Sequence, residues 1–95
     1  MVVQFIQVLP IEKRDYTDRS GTASVFRSKG FIVHNGEGTL YVEATQELAD
    51  KLESLGIKQG DCALVQLGYV ARDYKTSAGA IRYSNEITLR QVQML

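Results

Sequence analysis

The chain has no tryptophan, one cysteine, one proline and one histidine, and its formal net charge is zero. Each shortage excludes something. A lone Cys62 cannot form an internal disulfide, and it reads as a small core residue opening an apolar strand. A cysteine nucleophile needs a base, and His34 has no acidic neighbour in sequence. Cys62 and His34 alone would leave a tetrahedral metal site incomplete. No other cluster of His, Cys or Asp has ligand spacing, and no acids pair in a pattern that suggests a hydrolytic cleft. We therefore expect no catalytic residue, no metal and no cofactor. No apolar run approaches the roughly 18 residues of a spanning helix, and no basic segment followed by an apolar run opens the chain. The expectation is a soluble cytoplasmic protein without a membrane partner.

What is present is enough for a core. Hydrophobic residues make up 44% of the 95 positions and charged residues 23%, which fits one folded domain over residues 1–95. The zero net charge is segmented. Residues 1–36 carry Lys13, Arg14, Arg19, Arg27 and Lys29 against Glu12, Asp15 and Asp18. Residues 37–61 carry Lys51 and Lys58 against Glu37, Glu43, Glu47, Asp50, Glu53 and Asp61. Residues 62–95 carry Arg72, Lys75, Arg82 and Arg90 against Asp73 and Glu86. Basic flanks thus enclose an acidic middle, and a polyanion would be drawn to some parts of the surface only. Ordinary solvated charge is the competing explanation.

Val2 to Ile11 predicts a strand that ends, or becomes an edge, at Pro10, which has no N–H for a ladder. Glu12 to Thr22 is polar and predicts a long loop carrying Lys13, Arg14, Tyr16 and Arg19. Ala23 to His34 predicts a second strand with a bulge or bend at Gly30. Asn35-Gly36 predicts a type I′ hairpin turn. Thr39 to Glu43 predicts a third strand with Leu40 and Val42 inward and Thr39, Tyr41 and Glu43 outward. A helix follows, capped by Thr45 and stopped by Gly56, with Leu48, Leu52 and Leu55 in one stripe and Asp50 and Glu53 facing water. Two apolar, alternating runs then flank the polar turn Lys75-Thr76-Ser77-Ala78-Gly79, a hairpin whose tip carries Arg72, Tyr74, Lys75, Arg82 and Tyr83. The order β-β-β-α-β-β with five strands predicts an all-β OB-fold barrel, the oligonucleotide/oligosaccharide-binding fold.

The last hairpin also carries a family pattern. Gly60-Asp61, Gly68, Arg72, Tyr74, Gly79, Arg82-Tyr83 and Glu86-Ile87, preceded by the helical Glu47 to Leu52, resemble the second half of bacterial single-stranded DNA-binding proteins. The likeness covers roughly residues 46–90 and independently implies the OB fold. It also implies coating of single-stranded DNA in replication, recombination or repair, and assembly as a homodimer or homotetramer. Two departures stand out. The family often stacks bases on tryptophan, which is lacking here. Its disordered tail with an acidic, Phe-ending tip is not among these residues, so the expectation is a compact version such as a phage or mobile element would carry.

The site expected on this basis has three parts. Strands two and three with their flanking loops form the usual ligand face of this barrel, so Arg27, Lys29 and Tyr41 are expected outward, with Phe26 or Phe31 beside them. Phe31 could equally be core. The first loop contributes Arg14, Tyr16 and Arg19, and the last hairpin Tyr69, Arg72, Tyr74, Lys75, Arg82 and Tyr83. Cations contact phosphates and rings stack on bases without regard to sequence. Each tyrosine of the hairpin could instead be a barrel-wall ring. RNA is a second possible ligand. A barrel used for protein contact, as an assembly or accessory subunit without nucleic-acid binding, is the alternative.

Overall fold

A computed structural model describes all residues, 1–95. Its elements are β1 (Val2–Thr17), β2 (Ala23–His34), β3 (Thr39–Thr45), α1 (Gln46–Leu55), β4 (Cys62–Lys75) and β5 (Ile81–Met94). The strands close into a barrel in the order β1-β2-β3-β5-β4, with every pairing antiparallel except β3 with β5. This is the predicted order, with one helix between the third and fourth strands. No helix is long and apolar enough to cross a membrane.

Alternation builds the core. Val3 and Phe5 of β1, Phe31 and Val33 of β2, Val42 and Ala44 of β3, Ala63 and Val65 of β4, and Leu89 of β5 are buried. Phe5 and Phe31 meet at the centre, ring centroids 5.2 Å apart. Phe31, left open between core and platform by its sequence, is core. Leu52 and Ala49 plug the barrel from α1, and Ile57 packs in behind them. Leu55, expected in the same stripe, is 50% exposed, because Ala49 occupies the adjoining part of the buried face.

β1 runs past Pro10 to Thr17, against expectation. Its pairing with β2 slips between Phe5 and Gln7 and again between Val8 and Ile11, each time leaving one extra residue on β1. Pro10 falls in the second irregularity, where no ladder donor is required. These bulges curl β1 so that its start can pair with β4 at Val2–Gln4 while its end stays on β2. The expected loop from Glu12 to Thr22 shrinks to residues 18–22. There the Asp18 carboxylate accepts hydrogen bonds from the Ser20 hydroxyl (2.6 Å), the Ser20 N–H (3.0 Å) and the Thr22 N–H (2.9 Å).

Other local readings change as well. Gly36 has positive φ but Asn35 does not, so the β2–β3 link is not type I′. The Asn35 side chain instead accepts from the N–H groups of Glu37 and Gly38. Gly30 pairs in register with Glu43 and makes no bulge. Thr45 sits at the N-cap without a side-chain cap bond. Gln46 takes a left-handed φ of 55°, turning β3 into α1 without a linker, and its Oε1 accepts the Arg27 N–H (3.1 Å) where β2 outruns β3. Gly56 does end α1, in the left-handed conformation.

Two hairpins outgrow the barrel. Residues 12–17 with 21–23 and residues 69–75 with 81–86 are exposed. A 95-residue compact domain has a radius of gyration of about 12 Å, whereas this chain reaches 15.4 Å. The excess lies in the two arms.

A candidate nucleic-acid interface on the outer face and arms

In a strand, alternate residues point to opposite faces. In β2 the buried Phe31 and Val33 fix the odd-numbered residues as inward, so Arg27 and Lys29 point inward too, beneath α1. Their expected outward placement is corrected here. Arg27 Nε donates to both Asp50 oxygens at 2.9 Å. Lys29, 5% exposed, donates from Nζ to Glu53 Oε2 (2.6 Å) and to the Leu9 carbonyl (2.8 Å). That carbonyl is free because it lies in the β1 irregularity. The helix acids, expected to face water, thus neutralise two cations and tie α1 to β2. Neither cation is available to a ligand on the outer face.

The even-numbered residues of β2 face out, and they meet the outer residues of β1 and β3. Arg14 pairs with Phe26 in register, and its guanidinium lies over the Phe26 ring, 5.6 Å from the centroid. Tyr16, opposite Ser24, continues the same face and is 41% exposed. On β3 the outward prediction for Tyr41 holds. Its ring is 53% exposed and lies flat across Gly30, where a Cβ would stand 2.5 Å from the phenol oxygen. Gly30 therefore exists to seat a ring, a different role from the expected bend. The Tyr41 hydroxyl donates to Glu43 Oε2 at 3.2 Å. Partial burial and the nearby Glu43 carboxylate push its pKa above the ordinary 10.0.

A groove of about 620 Å³ runs beside these rings, lined by Glu12, Lys13, Arg14, Phe26, Ser28 and Glu43. A second, of about 510 Å³, opens between β3 and β5, where the strands share a single pairing, Glu43 with Thr88. It is walled by Thr39, Tyr41 and Glu43 on one side and Asn85, Glu86 and Thr88 on the other. Glu43 borders both grooves.

The β4–β5 arm has two faces. Register pairs Arg72 with Ser84, Tyr74 with Arg82 and Val70 with Glu86, so Arg72, Tyr74 and Arg82 share the outer face. Arg72 Nε is paired with Glu86 at 2.9 Å. Tyr69, Tyr83 and Lys75 share the reverse face, in phase with the core residues Leu67 and Leu89. Tyr69 is 62% exposed and Tyr83 76%, so neither is a buried barrel-wall ring. Arg14, Tyr16, Tyr41, Arg72, Tyr74 and Arg82 thus all point outward, while Arg19 sits in the 18–22 turn. Of the eleven cations, only Arg27, Lys29 and Arg72 are in ion pairs.

Sequence reasoning missed Glu12, Ser28, Glu43 and Arg90 as groove or surface partners. Alternation already placed Glu43 outward beside Tyr41, but gave it no part in a groove. Arg90 is the extra β5 residue at the irregularity opposite Gln66 and Leu67, and its guanidinium occupies the space above Gly68. Strand register and this bulge, not any local pattern, set that placement.

The OB fold decides the comparison with known structures. The chain shares this fold. It is similar to the second OB-fold domain of replication protein A from Methanococcus maripaludis, with a TM-score of 0.58 and 19% identity, over 99% of this chain and 79% of that one. It is also similar to the mitochondrial single-stranded DNA-binding protein Rim1 of S. cerevisiae, with a TM-score of 0.60 and 10% identity, over 100% of this chain and 92% of that one. No protein-family model matches the chain. No curated protein matches it in sequence.

Proposed function

We propose that this protein binds single-stranded DNA with little sequence preference, by stacking bases on tyrosine and phenylalanine and contacting phosphates with the unpaired cations around them. One observation carries the reading. The exposed rings of Tyr16, Tyr41 and Tyr74 and the half-buried ring of Phe26 all point outward from the barrel and its arms, and so do Arg14 and Arg82, which have no acidic partner. A solvated surface has no reason to hold rings open to water in that arrangement, whereas a strand of bases offers them partners. Two OB-fold structures that resemble this one belong to proteins named for replication or for single-stranded DNA binding, which supports the same reading.

Coating exposed strands in replication, recombination or repair, as a homodimer or homotetramer in the cytoplasm, is the biological setting this activity fits. The role is that of a binding protein and requires no catalyst. Titration of a fluorescently labelled dT oligomer tests it. Micromolar or tighter binding that weakens steeply with salt supports the proposal. No binding at low salt refutes it, and a stable complex with another protein in that case selects the protein-contact alternative. An RNA oligomer of matched sequence, run in competition, measures the preference between the two nucleic acids.

A further inference from the structure

Glu43 stands where a phosphate-binding surface should not have a carboxylate. It borders both grooves, flanked by the Tyr41 ring on its own strand and by the Phe26–Arg14 stack across the sheet. Glu12 lies across the first groove from it. A phosphate drawn in by Lys13 or Arg14 would be repelled from this floor. A base lying on either ring brings no charge, and its edge meets hydrogen-bond acceptors.

That chemistry discriminates between bases. Cytosine presents its N4 amino group as a donor, while thymine presents O4, an acceptor, at the same position. A carboxylate accepts from the first and repels the second. We infer that Glu43 is a specificity-determining residue that reads the amino edge of a base stacked on the neighbouring Tyr41 ring, so that this subsite favours cytosine over thymine. The inference rests on the single-strand-binding reading and adds a local preference to an otherwise sequence-tolerant surface. Cytosine and thymine are the informative pair because both are pyrimidines of similar size, and comparing the ratio in wild type and variant cancels any difference between the free strands.

The test is a titration of labelled dC and dT oligomers of about 16 nucleotides, the upper site size of one OB fold, at mildly alkaline pH and one salt concentration. The wild type should bind dC at least about 10-fold more tightly than dT, the size of one hydrogen bond to a charged acceptor. In Glu43→Gln the ratio should fall to one or below, since the amide also offers a donor to thymine O4. Both affinities should rise together from the lost negative charge, which is why the ratio is the readout. A third oligomer, of 2-pyrimidinone (cytosine without its amino group), needs no variant and should bind the wild type as weakly as dT. Equal binding of dC and dT by the wild type, or an unchanged ratio in Glu43→Gln, overturns this inference and leaves single-strand binding intact. Tight binding of the 2-pyrimidinone oligomer does the same. Failure of every oligomer to bind at low salt overturns both.

Discussion

Gly30→Ala separates the binding face from the fold. The new Cβ would lie 2.5 Å from the Tyr41 phenol oxygen, 2.8 Å from Cε2 and 2.9 Å from Cζ. Carbon contacts settle at about 3.5–4.0 Å, so the outer end of the ring must lift by roughly 1 Å. It can, because the ring is 53% exposed on its other side. Gly30 has no positive φ, so alanine fits the backbone and removes unfolded-state freedom worth about 0.4–1 kcal/mol. Against that stands the loss of the Tyr41–Glu43 hydrogen bond, about 0.5–1.5 kcal/mol. The two nearly cancel, and the urea midpoint should move by less than the equivalent of about 1 kcal/mol. Binding should suffer more. A displaced ring forfeits a stack worth about 1–3 kcal/mol, or a roughly 5- to 150-fold rise in Kd for dT. The Tyr41 phenol, followed by NMR, should titrate closer to 10.0 than in the wild type, because both the burial and the carboxylate contact that raise it are relaxed. A variant with unchanged DNA affinity and an unchanged phenol titration would refute the claim that Gly30 seats this ring.

The other expectations concern charge and the arms. Glu53→Gln leaves the buried Lys29 ammonium with neutral acceptors only, the Leu9 carbonyl and the new amide oxygen, and should destabilise the protein by about 1–3 kcal/mol in urea unfolding. The same variant should leave the salt slope of DNA binding unchanged, and a changed slope would return Lys29 to the ligand face. Tyr74→Ala should weaken dT binding by about 1–3 kcal/mol. Arg82→Ala should reduce the slope of log K against log salt by about 0.7, the share of one lost phosphate contact, and Arg72→Ala combined with Lys75→Ala by less, because Arg72 is paired with Glu86 and Lys75 lies on the reverse face. A full loss of slope on removing these two alone would contradict a surface that extends to Arg14. Asp18 has its carboxyl held below the ordinary 3.8 by the Ser20 hydroxyl and then the Thr22 N–H. A depressed folded pKa gives stability that is present above the unfolded value and is lost as pH falls through the folded one. Asp18→Asn should therefore lower the wild-type Tm at neutral pH and close that gap below about pH 3.8, the unfolded value.

Turn chemistry and period-two patterns made the element order legible. Gly56 and Gly79 stop α1 and shape the last hairpin because each needs positive φ, a requirement local in sequence. Tyr41 was legible as outward because Leu40 and Val42 bracket it. Arg27 and Lys29 were misplaced although the same rule applied. If Phe31 and Val33 face the core, residues two and four earlier must face the same way. Two cations seemed to demand solvent, yet the helix supplied Asp50 and Glu53 from the far side of the chain. Pro10 misled for a similar reason. A residue without an N–H ends a regular ladder, but a bulge has a position that needs none.

The sequence by itself determined five strands, one helix and their order, because glycine conformations, apolar alternation and the leucine spacing act over a few residues. It also determined that rings and cations would cluster in the last hairpin. Only the tertiary structure decided which charges are spent holding α1 to the barrel and which remain free. It decided too that Tyr41 would lie on Gly30 beside Glu43, and that the β4–β5 tyrosines would divide between two faces. Those outcomes depend on strand register and on the closure of residues distant in the chain, and no local pattern encodes either.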